Sequence, residues 1–440
     1  MSKTESSTVS KFQLIERILG KKTASGGSTP EMPAARRAAR SVPDAWTRFD
    51  RQPAYEKMLV SKAASQRLGL DNPFFRVHEG LAGATTRIGG RDYVNFSSYN
   101  YLGLAGHSQV NQAAKDAIDR YGTTVSASRL VAGERPIQRE LEHALARVYG
   151  TEDCVVFVSG HATNVSTIGH LFGPKDLVVH DSLIHNSVLM GAQLSGATRR
   201  SFPHNDAGAL NRLLSDIRNQ FERALIVVEG IYSMDGDMPD LPALIEIKRR
   251  HKAFLMVDEA HALGVLGKRG YGLHEHFGMG GRDVDIWMGT LSKTLSGCGG
   301  YIAGERALVE QLKYAAPGFV YSVGIAPPLA AASLAALTLM QAEPGRVARL
   351  RQRGQFFLQQ ARAAGLDTGL SQGYSVIPVI LGSSLKAVRL SNGLFEHGVN
   401  VQPIIHPAVE EKAARLRFFL SSEHTEAQIT ETIRLIQQQA

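Results

Sequence analysis

The residues best placed for covalent chemistry are one lysine at the end of a short apolar stretch and an acid–histidine pair upstream of it. Asp285-Ile286-Trp287-Met288-Gly289-Thr290-Leu291-Ser292-Lys293 reads as a strand running into a small-residue turn. Gly297, Gly299 and Gly300 follow at once, so the backbone beside Lys293 can bend sharply and approach a ligand. A lysine so placed can be desolvated, lose its proton and form a Schiff base with a carbonyl. The competing reading is a surface lysine after an edge strand. Upstream, Phe254 to Val257 is an apolar run that ends in Asp258-Glu259-Ala260-His261, the pattern of a buried parallel strand. Ligands of open α/β sheets sit at the carboxyl ends of strands. Asp258 can there meet a pyridinium nitrogen, and His261 can serve the same ligand. Pyridoxal phosphate needs such partners: a Schiff-base lysine and an Asp or Arg at the ring nitrogen.

These groups must be carried by a regular framework, and the chain supplies its pattern. Strand-like runs at Val155–Val158, Leu177–Val179, Leu225–Val228, Phe254–Val257, Ile286–Met288 and Tyr301–Ala303 alternate with helical stretches. That alternation predicts a mostly parallel sheet flanked by helices, an α/β fold. Beyond about Leu329 a long helix is followed by strand-like segments at Ser375–Leu381, Val399–Ile404 and Leu416–Leu420, which predicts a smaller α+β domain. The expected division is a basic N-terminal extension (1–55), an entry segment (56–104), a large cofactor domain (105–328) and a small C-terminal domain (329–440). Within the extension, Phe12, Leu14, Ile15, Ile18 and Leu19 share one helical face ahead of the linker-like Thr23–Pro30. A frayed tail and a docking helix for a partner or carrier domain are both open readings. Ser159-Gly160-His161 follows a buried strand and opens a helix, where backbone N–H groups can face a phosphate. Thr290 offers a hydroxyl as a second phosphate ligand. Arg417 stands inside a Leu/Phe strand, where an unpaired guanidinium calls for a carboxylate, with Arg415 as its alternative.

Val257-Asp258-Glu259-Ala260-His261, then Gly264, Gly267, Gly270 and Gly272, then Gly289-Thr290-Leu291-Ser292-Lys293 resemble the α-oxoamine synthase family. Its members are fold-type I pyridoxal-phosphate transferases, among them aminooxononanoate synthase, aminolevulinate synthase and serine palmitoyltransferase. The resemblance runs from about Asn72 to the C-terminus. It implies decarboxylative condensation of an α-amino acid with an acyl thioester, borne by coenzyme A or an acyl carrier protein, in a homodimer with shared active sites. Lys293 would then hold the cofactor and act as base, and Asp258 would keep the ring nitrogen protonated. The resemblance implies that His185 stacks on the ring, with His180 and His161 as competitors, and that Ser233 joins His261 at the phenolic oxygen. It gives Gly160-His161 main-chain contacts to the phosphate, Ser322 a phosphate contact from the partner subunit, and Arg417 the substrate carboxylate. Tyr99 and Asn100 would lie at the substrate entrance. Departures are His161 where Phe or Tyr is usual, Asn186 where alanine is usual, and His406–Lys412 in place of a short Pro/Gly loop.

Composition limits the alternatives. With 440 residues, 43% of them hydrophobic, the chain can bury a large core. The net charge of +8 is concentrated at the N-terminus, where residues 1–60 hold eleven Lys/Arg against six Asp/Glu, so no nucleic-acid surface is expected. Cys154 and Cys298 lie far apart, which argues for a reducing, cytoplasmic compartment. No metal site and no membrane span are expected, since the apolar run Leu329–Met340 is too short to cross a bilayer. Two other functions remain open: an aminotransferase or β-eliminating lyase on the same fold, and a carrier-bound scaffold with a vestigial site.

Overall fold

Short runs with no polar face are stable only where both faces of a sheet are covered. Those at Leu177–Asp181, Ala224–Glu229, Ile286–Thr290 and Gly300–Gly304 are buried along their whole length. In the computed structural model, which describes residues 42–439, they form the middle of the fold. After a hairpin of β1 (Thr85–Ile88) and β2 (Arg91–Asn95), seven strands follow in the chain. They are β3 (Asp153–Phe157), β4 (Leu177–Asp181), β5 (Thr198–Phe202), β6 (Ala224–Glu229), β7 (Phe254–Asp258), β8 (Ile286–Thr290) and β9 (Gly300–Gly304). Their order across the sheet is β3-β9-β8-β7-β6-β4-β5. β9 is antiparallel to both neighbours, and every other pairing is parallel. The expected mostly parallel sheet is therefore present. β5 was not foreseen, because Arg199, Arg200 and Ser201 of this edge strand are exposed and leave no apolar signal.

Alternate residues of the central strands serve two cores, as the period of two requires. Val178, Leu225, Val227, Met256 and Met288 pack on one face; Val179, Ile226, Val228, Val257 and Trp287 pack on the other. On the second face the apolar helix Pro327–Ala342 lies against the helices Ser108–Tyr121 and Pro136–Tyr149. On the first, the helices Gly160–Leu171 and Asn186–Ser195 pack side by side.

The smaller C-terminal part carries β10 (Val376–Ile380), β11 (Val399–Asn400), β12 (Gln402–Ile404) and β13 (Arg415–Phe419). β10, β13 and β12 form an antiparallel sheet, whereas β11 pairs in parallel with β2 of the hairpin. The expected single strand Val399–Ile404 is thus divided at Val401 between two sheets, which stitches the hairpin to the small sheet. These elements all belong to the second of two units, Met1–Leu68 and Gly69–Ala440. In the first unit the described residues form two short turns and the helix Pro53–Arg67. The helical face expected over Phe12–Leu19 and the linker after it lie outside the described residues. Among the described residues no helix is long and apolar enough to cross a membrane.

The loop segments at the carboxyl ends of β4, β5 and β6 are latched together by one histidine. His204 Nδ1 lies 2.9 Å from Asp181 Oδ1, and Nε2 lies 2.8 Å from Asp237 Oδ2. Burial alone would lower its pKa, but the hydrogen bonds and charges of the two aspartates raise it to about 10. An unfolded histidine titrates near about 6.5. The stabilisation is therefore whole below that value and is lost as pH rises through the folded one. His204→Gln should lower the urea midpoint most near about pH 6, and the deficit should shrink toward about pH 10. A deficit independent of pH would contradict the latch.

Candidate active site

The carboxyl ends of β6, β7 and β8 open on a cavity of about 210 Å³. Tyr99, Gly160, His161, His185, Ser233, Asp258, His261, Thr290, Lys293 and Arg417 line it, so ten of the residues singled out from the sequence meet at one place. Asp258 ends β7 directly opposite Glu229 at the end of β6. Lys293 follows β8 by a three-residue step, Ser233 sits in the turn after β6, and Arg417 comes from β13 of the small sheet.

Lys293 is half-buried, its amine 5.2 Å from the centre of the Tyr99 ring. Packing around it lowers its pKa against the pull of Asp258 and Glu229, and the Arg417 charge adds to the lowering. The amine is thereby moved toward the neutral, nucleophilic form. Asp258 is held from two sides: Oδ1 accepts from Ala260 N–H at 3.0 Å and Oδ2 from the Asn164 amide at 2.8 Å. His261 is buried, and burial followed by the Lys293 and Arg417 charges pushes its pKa well below the usual histidine range. Its Nδ1 lies 2.7 Å from the hydroxyl of fully buried Tyr101. Burial raises the Tyr101 phenol well above its ordinary value, so its hydroxyl keeps its proton beside the imidazole.

At the other end of the cavity the helix Gly160–Leu171 begins. Its first-turn N–H groups have no intrahelical acceptor, and the helix end favours an anion. A Cβ at Gly160 would stand 2.9 Å from Thr290 Oγ1, so only glycine brings this turn so close to the end of β8. Thr290 Oγ1 itself donates to Gly299 C=O at 2.9 Å. Arg417 Nη1 donates to Ser233 C=O at 3.0 Å, and among the described residues no carboxylate pairs with it. Arg415, the alternative, is paired with Asp235 Oδ1 at 2.6 Å and does not line the cavity. An anion-binding turn, an amine, an acid and an imidazole along one cavity are the donor set that pyridoxal phosphate requires, and the residues present fit it.

Four residues read from the sequence have other surroundings. Ser159 caps the helix by accepting from Ala162 N–H at 3.4 Å. Asn100 is buried and its Oδ1 accepts from Ala105 N–H at 3.0 Å, so its amide closes the Tyr-Leu-Gly turn instead of facing the cavity. Ser322 lines a separate small cleft with Arg129, Phe157 and Phe319. His180 is buried in β4, its ring held on Asp181 C=O at 2.7 Å. The sequence reading missed Asn164, Ser187, Glu229 and Met288, which also line the cavity, and Tyr101 behind it. Glu229 ends an apolar strand as Asp258 does, and that shared pattern was the available signal. Burial and the Asp258 charge raise its carboxyl well above the usual range.

Comparison with known proteins agrees with this geometry. The family model for aminotransferase class I and II matches residues 91–436. The chain is 41% identical over 360 residues to 8-amino-7-oxononanoate synthase of Geobacter sulfurreducens, covering 81% of this chain and 91% of that protein. It is 40% identical over 346 residues to 8-amino-7-oxononanoate synthase of Symbiobacterium thermophilum, covering 79% and 88%. A high-resolution structure of SPT with its PLP internal aldimine matches with a TM-score of 0.84 at 26% identity, over 88% of this chain and 97% of that one.

The Tyr101 contact has a measurable consequence. Tyr101→Phe leaves His261 Nδ1 without its hydrogen-bond partner in a dry place, which should lower the unfolding free energy of the cofactor-free protein by about 1–3 kcal/mol. Denaturant melts of parent and variant measure it. Equal midpoints would show that His261 does not depend on the phenol.

Proposed function

The chain belongs to the aminotransferase class I and II family and is a pyridoxal-phosphate-dependent acyltransferase of the α-oxoamine synthase type, and we propose that it joins an α-amino acid to an acyl thioester with loss of CO2. The products of that reaction are an α-amino ketone, CO2 and the free thiol of coenzyme A or a carrier protein. The observation that carries the reading is the convergence of the Lys293 amine, the Asp258 carboxylate and an unpaired Arg417 guanidinium on one cavity. Bound there, the cofactor supplies an electron sink for the pair left at the substrate Cα. Lys293 Nζ would hold the cofactor and, when free, take the Cα proton, a role its lowered pKa supports. Asp258 Oδ atoms keep a proton at the ring nitrogen. Arg417 orients the substrate carboxylate by paired hydrogen bonds, and the absence of a carboxylate partner for it among the described residues supports this. His185 forms one wall against the ring. Gly160, His161 and Thr290 would hold the phosphate, and Ser233 and His261 would serve the phenolic oxygen. Tyr99 stands at the entrance. Ser322 lies outside this chain's own cavity, which is compatible with service to the site of a second copy in a homodimer.

The relatives' names support an acyl thioester co-substrate. Incubation with an α-amino acid and an acyl thioester should release CO2 and free thiol in equal amounts. Turnover with an oxo acid and no thioester would instead favour an aminotransferase. Borohydride reduction of the cofactor-loaded protein and peptide mapping should place the label on Lys293; label on another lysine ends the reading. Asp258→Asn should leave the melting temperature near the parent's yet slow Cα-proton exchange by orders of magnitude, because an unprotonated ring nitrogen is a poorer sink. Exchange at the parent's rate would make Asp258 only a turn residue.

A further inference from the structure

A chain of hydrogen bonds runs from Asp258 to His185 through two buried side chains that no role above uses. Asn164 Nδ2 lies 2.8 Å from Asp258 Oδ2 and 2.9 Å from Ser187 Oγ. Ser187 Oγ in turn lies 2.7 Å from His185 Nδ1. Asn164 and Ser187 are buried, at 1% and 0% exposure, so water cannot substitute for either partner.

The direction of every hydrogen in this chain follows from its acidic end. A carboxylate only accepts, so Asn164 must turn its NH2 group toward Asp258. The reversed amide would set Oδ1 against a carboxylate oxygen, two acceptors in a dry contact. The second hydrogen of the same nitrogen points to Ser187 Oγ. That hydroxyl therefore accepts from Asn164, and its own hydrogen is left for His185 Nδ1. The Ser187 N–H also approaches His185 Nδ1, at 3.3 Å. With two donors aimed at it, Nδ1 has no room for a proton. The arrangement is kept although it leaves Asn164 Oδ1 buried without a partner. An orphaned buried acceptor is unfavourable by about 1–3 kcal/mol, so the amide is being held in place and has not settled by preference.

We propose that Asn164 and Ser187 are positioning residues that pass the orientation of the Asp258 carboxylate to His185 and lock its imidazole in the neutral form with hydrogen on Nε2. The inference rests on reading Asp258 and His185 as the ring-nitrogen partner and the ring wall. One network then sets both, so the ring edge and the ring face are fixed together. The titratable groups sharing the cavity with His185 are Lys293, His161, His261, Arg417, Asp258 and Glu229. Packing around the imidazole and the cationic groups together lower its pKa, while Asp258 opposes them. Packing acts on the whole ring, whereas the Ser187 hydroxyl acts on Nδ1 and so distinguishes the two ring nitrogens.

The test uses cofactor-free protein labelled with ¹⁵N-histidine, the His185 signals being assigned by their loss in His185→Phe. In the parent, His185 should show a protonated Nε2 and an unprotonated Nδ1 across neutral pH. In Ser187→Ala both tautomers should be populated, and the protonation midpoint should rise by on the order of one unit. Asn164→Ala should have the same effect in smaller degree, since the hydroxyl remains but can turn. A parent His185 with its hydrogen on Nδ1 overturns the proposal even if neither variant folds. So does a Ser187→Ala protein whose tautomer and midpoint match the parent's. Label on Lys293 after borohydride treatment, together with either of those outcomes, would keep the function and remove this inference.

Discussion

Seven acidic and basic side chains share a cavity of about 210 Å³: Lys293, Arg417, Asp258, Glu229, His161, His185 and His261. Packed so closely, they cannot all be charged, because burial removes the water that would solvate them. The surroundings sort them. Lys293, His185 and His261 are moved toward their neutral forms and Glu229 toward its protonated acid. Arg417 is also lowered by burial, but arginine has too high a starting value to give up its proton. Asp258 accepts from two N–H donors, Ala260 N–H and the Asn164 amide, which fix the direction its carboxylate faces. Acid, base and cation are thus separated by environment within one small space, and the chemistry proposed for the site depends on that separation.

The fold makes this crowding possible by bringing the ends of neighbouring strands, and the turns that follow them, to the site. β6, β7 and β8 are parallel neighbours, so Glu229, Asp258 and the approach to Lys293 emerge at the same edge. β9 returns antiparallel beside β8 and places Gly300 opposite Thr290. A Cβ on Gly300 would stand 2.7 Å from Gly160 Cα, so two glycines let the phosphate-facing turn press against the end of the sheet. Side chains on strand termini have few ways to move, which suits a site that must hold a flat ring between Asp258 and His185.

The large sheet was legible because each of its interior strands is apolar throughout, and the edge strand β5 was not because it is polar. Lys293, Asp258 and His261 were legible for a related reason: each directly follows an apolar strand, so position alone implies an end at the ligand side. Asn164 and Ser187 gave no such signal. They lie one turn inside the helix Gly160–Leu171 and in the first turn of Asn186–Ser195, where polar residues usually face water. Their part depends on two helices packing side by side, a tertiary fact that local spacing does not contain. Tyr101 follows Tyr99 and Asn100 directly, yet its hydroxyl turns inward to His261, and nothing in Tyr101-Leu102-Gly103 marks that direction. Asn100 was misled by the same loop: its amide closes a turn that the sequence could not show.

Arg415 and Arg417 show how one strand gives identical side chains different duties. They are two residues apart on β13 and so lie on the same face. Arg415 meets Asp235 and the Met234 carbonyl in the turn after β6, both within hydrogen-bond reach of its Nη1. That ion pair pins β13 to the turn that carries Ser233. Arg417, one step along, reaches the Ser233 carbonyl and the Met234 sulfur, at 3.0 Å and 3.2 Å, neither of which offsets its charge. Phe419 lies beneath its guanidinium at 4.6 Å and holds it flat without neutralising it. The paired arginine thus fixes the place of the unpaired one, and a carboxylate arriving in the cavity meets a cation already oriented toward it.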